Sequence, residues 1–254
     1  MKKYIAFAIL LVSGLSIFIS MLVNADTINV HLNDEPFLSS YNNESKVYSG
    51  IAIDILNLLF KETDDKFEIV IEPVARIKQA HLQGKNKLFI SLIKNQTEFK
   101  NEYYIGSISH FPINIYKFKS KNDIKLTNIN NLRNYSFGVV RKGSRHNYFK
   151  SLNFVDSYKH HIVSSDKQNI LRFFIGRTDL LIENPMVLKY FAKKENIDLT
   201  LVESLMTIDD LSGDIGIFFS ESTDFELVEK YQQALSNLKN TDRYKTILKR
   251  YGIN

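Results

Sequence analysis

The chain contains no cysteine and no tryptophan, and only four prolines in 254 residues. Without cysteine there is no disulfide, no thiolate metal site, no cysteine nucleophile and no N-terminal cysteine to carry a lipid. With so few prolines and no low-complexity tract, no flexible linker is visible. Two lobes, if present, would therefore be joined by ordered strands. Charge of one sign is scarce too: 33 Lys+Arg stand against 28 Asp+Glu, a balance of +5. No basic block with interleaved aromatics occurs, so nucleic acid is not a partner to expect. What is present is ordinary for a globular protein: 44% hydrophobic and 24% charged residues, with Phe and Tyr supplying 12% aromatics. That composition excludes disorder, collagen and coiled coil, and the length suffices for a sizeable core.

Long hydrophobic runs are confined to the N-terminus. Residues 1–25 read MKKYIAFAILLVSGLSIFISMLVNA. Two lysines, an apolar middle and small residues at Val23-Asn24-Ala25 have the order of a secretory signal, with cleavage expected after Ala25. Tyr4 to Val23 is also long enough to span a bilayer as an uncleaved anchor, but Ser13, Gly14, Ser16 and Ser20 dilute it. Removal takes Lys2 and Lys3 away, leaving 31 basic against 28 acidic residues, or +3. An exported, cysteine-free chain suits a periplasm.

From Asp26 onward strand and helix patterns alternate. TINVHL puts Ile28, Val30 and Leu32 on one face, and GIAIDILNLLFKE spaces Ile51, Ile55, Leu58 and Leu59 as a helix. FEIVIE is the next strand, PVARIKQAHLQG a helix opened by Pro73 and closed by Gly84, and KLFISL a strand. This β-α-β-α-β run is the mark of an α/β sheet. INIYKFK (113–119), SFGVV (136–140), DLLIEN (179–184) and DIGIFF (214–219) are further strands, with helix patterns after Ser144 and Pro185. Two helices end the chain. Thr223 and Glu226 have capping-box spacing before the first, and Gly252 stops the second.

Several motifs bear on chemistry. Ser91-Leu92-Ile93-Lys94 matches S-x-x-K, but the serine ends a strand where catalysis needs a helix, and no partner motif follows. Gly138 to Gly143 has P-loop spacing without its lysine; what remains is a glycine turn whose N–H groups suit an anion near Ser144. Arg76 sits near a helix N-terminus, where a cation opposes the helix dipole and calls for a partner such as a ligand carboxylate. Glu183-Asn184 ends a buried strand, where α/β sheets hold ligands; Asn184 equally suits a helix cap before Pro185. The six histidines, at 31, 81, 110, 146, 160 and 161, show no helical i, i+4 pair for a metal.

The order of these elements resembles the solute-binding proteins of family 3, the periplasmic receptors of polar amino acid ABC transporters. It runs through Glu35-Pro36-Phe37, Gly50 to Asp54, P-x-x-R at Pro73 to Arg76, strand KLFISL and YYIGSIS. It continues with Phe137 to Ser144, Gly176 to Glu183, Asp214 to Phe219 and Ile247 to Gly252. The resemblance implies an α/β, two-lobed periplasmic binding protein fold (type II) with two crossover strands near Ile113–Lys119 and Gly213–Ser220. Residues 26–112 plus 220–254 would form one lobe and 113–219 the other, with ligand in the cleft.

It further implies a monomeric receptor without a cofactor, delivering a small polar solute to an inner-membrane ABC permease. Expected ligand contacts are Asn33, Glu35 and Tyr41 from the first loops, with Arg76, Ser91, Lys94, Ser144 and Asn184. The family's carboxylate-binding arginine would fall at about Glu98 or Phe99, and neither is arginine; Lys94 and Arg76 are the cations that could substitute. Its acidic partner for an amino group would fall at Asn184, or at Glu183 one residue earlier. Rival readings on the same fold are a sensory module coupled to a membrane partner and a dehydratase-like enzyme using a carboxylate such as Glu183.

Overall fold

A computed structural model describes residues 27–73, 76–77, 84–93, 103–154 and 159–253. The expected leader, residues 1–25, and Lys94 lie outside this set.

The first lobe is built on a five-stranded sheet of order β4-β1-β5-β12-β6. Its strands are β1 (Ile28–Leu32), β4 (Phe67–Ile71), β5 (Lys87–Ile93), β6 (Tyr104–Phe111) and β12 (Gly213–Phe219). β4, β1 and β5 run parallel, while β12 is antiparallel to both β5 and β6. Alternation along β5 and β12 sorts side chains to two faces. Leu88, Ile90, Ile215 and Ile217 enter the main core, and Phe89 and Phe218 pack on the other side with Ile77. A short hairpin, β2 (Ser40–Asn42) with β3 (Val47–Ser49), precedes the first helix.

Helix α1 (Ile51–Thr63) buries Ile51, Ile55, Leu56, Leu59 and Phe60 on that core. Its N-cap is Gly50 at φ 126, where a Cβ would lie 2.3 Å from the Leu38 carbonyl oxygen, so the chain needs glycine there. The C-terminal helices α5 (Phe225–Lys239) and α6 (Asp242–Arg250) join the same core through Val228, Tyr231, Leu235, Leu238, Tyr244 and Ile247. α5 begins on Asp224, not on the expected Thr223 capping box. The Thr223 hydroxyl is turned inward, to Ser220 Oγ at 3.0 Å and Asn86 N at 3.3 Å. Tying the end of β12 to the start of β5 takes that hydroxyl away from the helix.

The second lobe holds a three-stranded antiparallel sheet, β10-β7-β11, and a parallel pair, β8 with β9. These are β7 (Asn114–Phe118), β8 (Phe137–Val140), β9 (His160–Val163), β10 (Leu181–Glu183) and β11 (Val202–Thr207). Successive residues feed different cores. Ile115 and Ile182 face one with Phe137, Phe149 and Phe154; Tyr116 and Leu181 face another with Phe173, Leu188 and Phe191. Helices α2 (Ser144–Ser151), α3 (Asp166–Phe174) and α4 (Pro185–Glu195) complete the lobe.

The crossovers are pinned by a few polar groups. Ser212 Oγ accepts from Ile113 N at 2.9 Å and donates to the Ile208 carbonyl at 2.8 Å. Ile208 N donates to the Ile113 carbonyl at 2.8 Å. Here the structure departs from the sequence reading. β12, expected as the second crossover and in the second lobe, pairs with the first sheet along its length. The chain therefore returns through residues 208–212. The apolar run of β12 reads as a strand buried on both faces, which suits the interior of either sheet.

Candidate functional site

Ligand sites in α/β folds lie beyond the carboxyl ends of strands, and charged groups gather there. After β1 the chain makes a tight turn. Glu35 N donates to the Ser39 carbonyl at 2.7 Å and Leu38 N returns to the Glu35 carbonyl at 3.1 Å. Ser39 Oγ donates to the Asn33 carbonyl at 2.7 Å. This turn sets the Glu35 side chain, whose carboxylate takes one bond from Asn33 Nδ2 at 3.3 Å.

Three strand ends of the second lobe converge opposite. The glycine turn after β8 leads into α2, whose second residue is Arg145. β9 leads to Ser165, which caps α3 by accepting from Gln168 N, and Asp166 is the first residue of that helix. β10 ends at Glu183, which is wholly buried. Arg145 joins them: Nη1 donates to Glu183 Oε1 at 2.5 Å, and Nη2 is paired with Asp166 Oδ1. Two carboxylates thus grip one guanidinium whose side chain is 13% exposed.

The electrostatics follow from burial. Burial pushes the Glu183 carboxyl up to about 8, against the pull of Arg145. Burial also raises Glu35, to about 7, reinforced by Asp166 and opposed by Arg145. Those two influences come from the second lobe, so Glu35 feels charge across the cleft. Arg145 itself loses by burial but is held above its ordinary value by Glu183 and Asp166, and stays a cation. A cluster of one guanidinium and three carboxylates can neutralise a cation and accept hydrogen bonds.

The expected contacts fare differently. Asn33 and Glu35 belong to this cluster. Ser144 is exposed at the start of α2, beside Arg145. Arg76 is exposed, its backbone N–H donating to the Pro73 carbonyl at 2.8 Å. Tyr41 stacks at 4.7 Å on Tyr48 within the hairpin. The Ser91 side chain and Lys94 lie outside the described residues. Asn184 is fully buried and heavily committed. Its Oδ1 caps α4, accepting from Met186 N at 2.8 Å and Val187 N at 3.2 Å, and its Nδ2 donates to the Pro112 carbonyl at 2.8 Å. That side chain ties the floor of the site to the first crossover, and the cap before Pro185 is the role it fills.

Sequence reasoning missed Arg145 and Asp166. A signal for Arg145 was present: a cation in the first turn of a helix is unfavourable and asks for a partner, the argument already applied to Arg76. Asp166 gave none, since an acid in a first turn is ordinary. The histidines are dispersed. His31 Nδ1 meets Glu72 at 2.5 Å, and His110 Nδ1 meets Asp214 at 3.1 Å. Among the described residues no group of three His, Asp or Glu side chains is arranged to hold a metal, and no helix is long and apolar enough to cross a membrane.

Residues 27–254 match the family model of the bacterial extracellular solute-binding proteins, family 3. No curated protein sequence matches the chain. Solved structures share the fold at low identity. A histidine kinase sensor domain with similarity to periplasmic binding proteins superposes with a TM-score of 0.68 at 13% identity, covering 89% of this chain and 96% of its own. An ancestral arginine-binding protein bound to arginine gives 0.66 at 18% identity, over 89% and 98%. A probable amino-acid ABC transporter extracellular-binding protein from Bacillus subtilis gives 0.68 at 13%, over 90% and 98%. The architecture is the two-lobed periplasmic binding protein fold.

Proposed function

Because the chain belongs to the bacterial extracellular solute-binding proteins of family 3, we propose that it is an exported receptor that captures a small polar, amino-acid-like solute between its lobes and hands it to an inner-membrane ABC permease. Export uses residues 1–25 as a leader cut after Ala25. In this reading the lobes divide at Pro112–Ile113, with the return at residues 208–212, so that β12 counts with the first lobe. The observation that carries this reading is the cluster of Glu35 from one lobe with Arg145, Asp166 and Glu183 from the other. Charged groups buried at facing strand ends are costly to a fold that has no use for them.

A solute lying between them touches both lobes only when they are closed. It therefore favours the closed state by its differential affinity, with motion at the two crossovers. Asn33 and Glu35 hold it from the first lobe, and Glu183 and Asp166 from the second, with Arg145 fixing both carboxylates. Arg76, Ser91, Lys94, Ser144 and Tyr41 are its further contacts. The role is binding without catalysis.

A thermal-shift screen against amino acids, small peptides, polyamines and organic acids tests the reading, since a ligand that binds only the folded state raises the melting temperature. A shift with one solute class is expected. A blank screen sinks the transport role and favours the second reading, a sensory module that passes closure to a membrane partner. The likeness to a histidine kinase sensor domain supports that alternative at the level of the fold.

A further inference from the structure

The cleft cluster holds buried acceptors that lack donors. Arg145 is its one cation among the described residues, and its two terminal nitrogens each bond a carboxylate, Glu183 and Asp166. Glu183 is 0% exposed. Its Oε1 accepts from Arg145 and, at 2.8 Å, from Asn184 N. Its Oε2 is buried with no donor among the described residues. Asn33 is in the same position across the cleft: its Nδ2 serves Glu35, and its Oδ1 is buried without a donor. A buried acceptor left unmade is unfavourable, and satisfying it rewards whatever brings the donor.

Charge points the same way. Glu35, Asp166 and Glu183 are three carboxylates around one guanidinium, so an added anion meets like charge while an added cation relieves it. Two carboxylates already balance the charge of Arg145, so it offers an incoming anion no surplus positive charge. Burial, which raises both Glu35 and Glu183, expresses the same shortage of positive charge.

Resting on the receptor reading above, we infer that the solute is an organic cation, an amine or guanidine, whose positive group lies between Glu35 and Glu183 and which needs no carboxylate to bind. Its N–H groups supply the donors that Glu183 Oε2 and Asn33 Oδ1 lack.

Titration calorimetry at pH 8 with agmatine, cadaverine, arginine, glutamine and succinate tests this. Agmatine or cadaverine should bind at least tenfold tighter than glutamine, and succinate should not bind. Binding should weaken several-fold at pH 6, where the raised carboxyls take up protons that compete with the ligand. Glu35→Gln should lower the affinity at least tenfold with the fold intact, which keeps the test open if Glu183→Gln fails to fold. Binding of arginine with agmatine and cadaverine silent would show that a carboxylate is required and would overturn the inference. Binding of glutamine or succinate alone would overturn it too, while leaving the receptor reading standing and moving recognition to Arg76 or Lys94. Silence from all five probes on folded protein overturns the cation class; the receptor reading falls only if the wider thermal-shift screen is also blank.

Discussion

In the first lobe, α1, α5 and α6 press on one face of a five-stranded sheet over a large apolar cluster, and a small one of Ile77, Phe89 and Phe218 lies on the other face. In the second, two smaller cores lie on opposite faces of β7 and β10. Between them and the cleft the chain buries Arg145, Glu183, Asn169 and Asn184, while Lys117 reaches Glu203 at 2.9 Å. An apolar interior has no group to titrate, whereas buried charge makes stability depend on pH. The contrast assigns the two lobes different parts. One is a largely apolar wall that presents Glu35 on a turn. The other holds most of the buried charge.

The sharpest way to break that comparison is Arg145→Met. It strands Glu183 and Asp166 at a buried site, a change that costs about 3–5 kcal/mol. Urea denaturation should show the second lobe's aromatic signals lost first, and a loss under 1 kcal/mol would mean the ion network is not structural. Leu59→Ala is the first-lobe counterpart. It opens a cavity in the apolar cluster and should cost about 2–5 kcal/mol, equally at pH 5 and pH 8.

The pH dependence draws on one carboxyl from each lobe. Glu35 and Glu183 are raised to about 7 and about 8 from 4.5. Between pH 4.5 and 8 the native state keeps protons that the unfolded chain has released, so unfolding free energy should fall as pH rises through that window. Glu35→Gln should flatten the profile and stabilise the protein by about 1–2 kcal/mol at pH 8. A profile that climbs instead would mean Arg145 dominates both carboxylates. The smallest effects belong to the surface. Arg250 pairs with Asp54 at 3.0 Å while 62% exposed, and Arg250→Ala should change stability by less than about 1 kcal/mol. Arg76→Ala should likewise leave stability within about 1 kcal/mol, so any loss of affinity there reports on ligand.

The elements that sequence periodicity foretold are those with one dominant partner surface. The stripe of α1, the stripe of α5 and the buried run of β8 were all legible, because a single core reads a single face. β2, β3 and β11 were not: their residues are half-buried or exposed, and no alternation survives. Helix α3 was missed because its buried Asn169, whose Oδ1 lies 2.0 Å from where a Gly138 Cβ would be, is not an apolar marker. The site was half legible. Glu35 and Glu183 stood at recognisable strand ends. That Arg145 bridges Asp166 and Glu183 depends on how β8, β9 and β10 are brought side by side, and no local pattern encodes that. Asn184 was legible as a cap but not as a tether to Pro112, since that contact spans 72 residues of chain.

The placement of β12 between β5 and β6 also orders events in time. Residues 213–219 emerge after the whole second lobe, yet they fill the slot between two strands of the first. Until they arrive, β5 and β6 have no shared neighbour, and closing that gap joins positions more than a hundred residues apart. The stretch from Ile113 to Leu211 has both of its small sheets within itself and can assemble at once. The inserted unit can therefore close its own sheets from local pairs, while its host needs a strand from the far end of the chain to join β5 to β6.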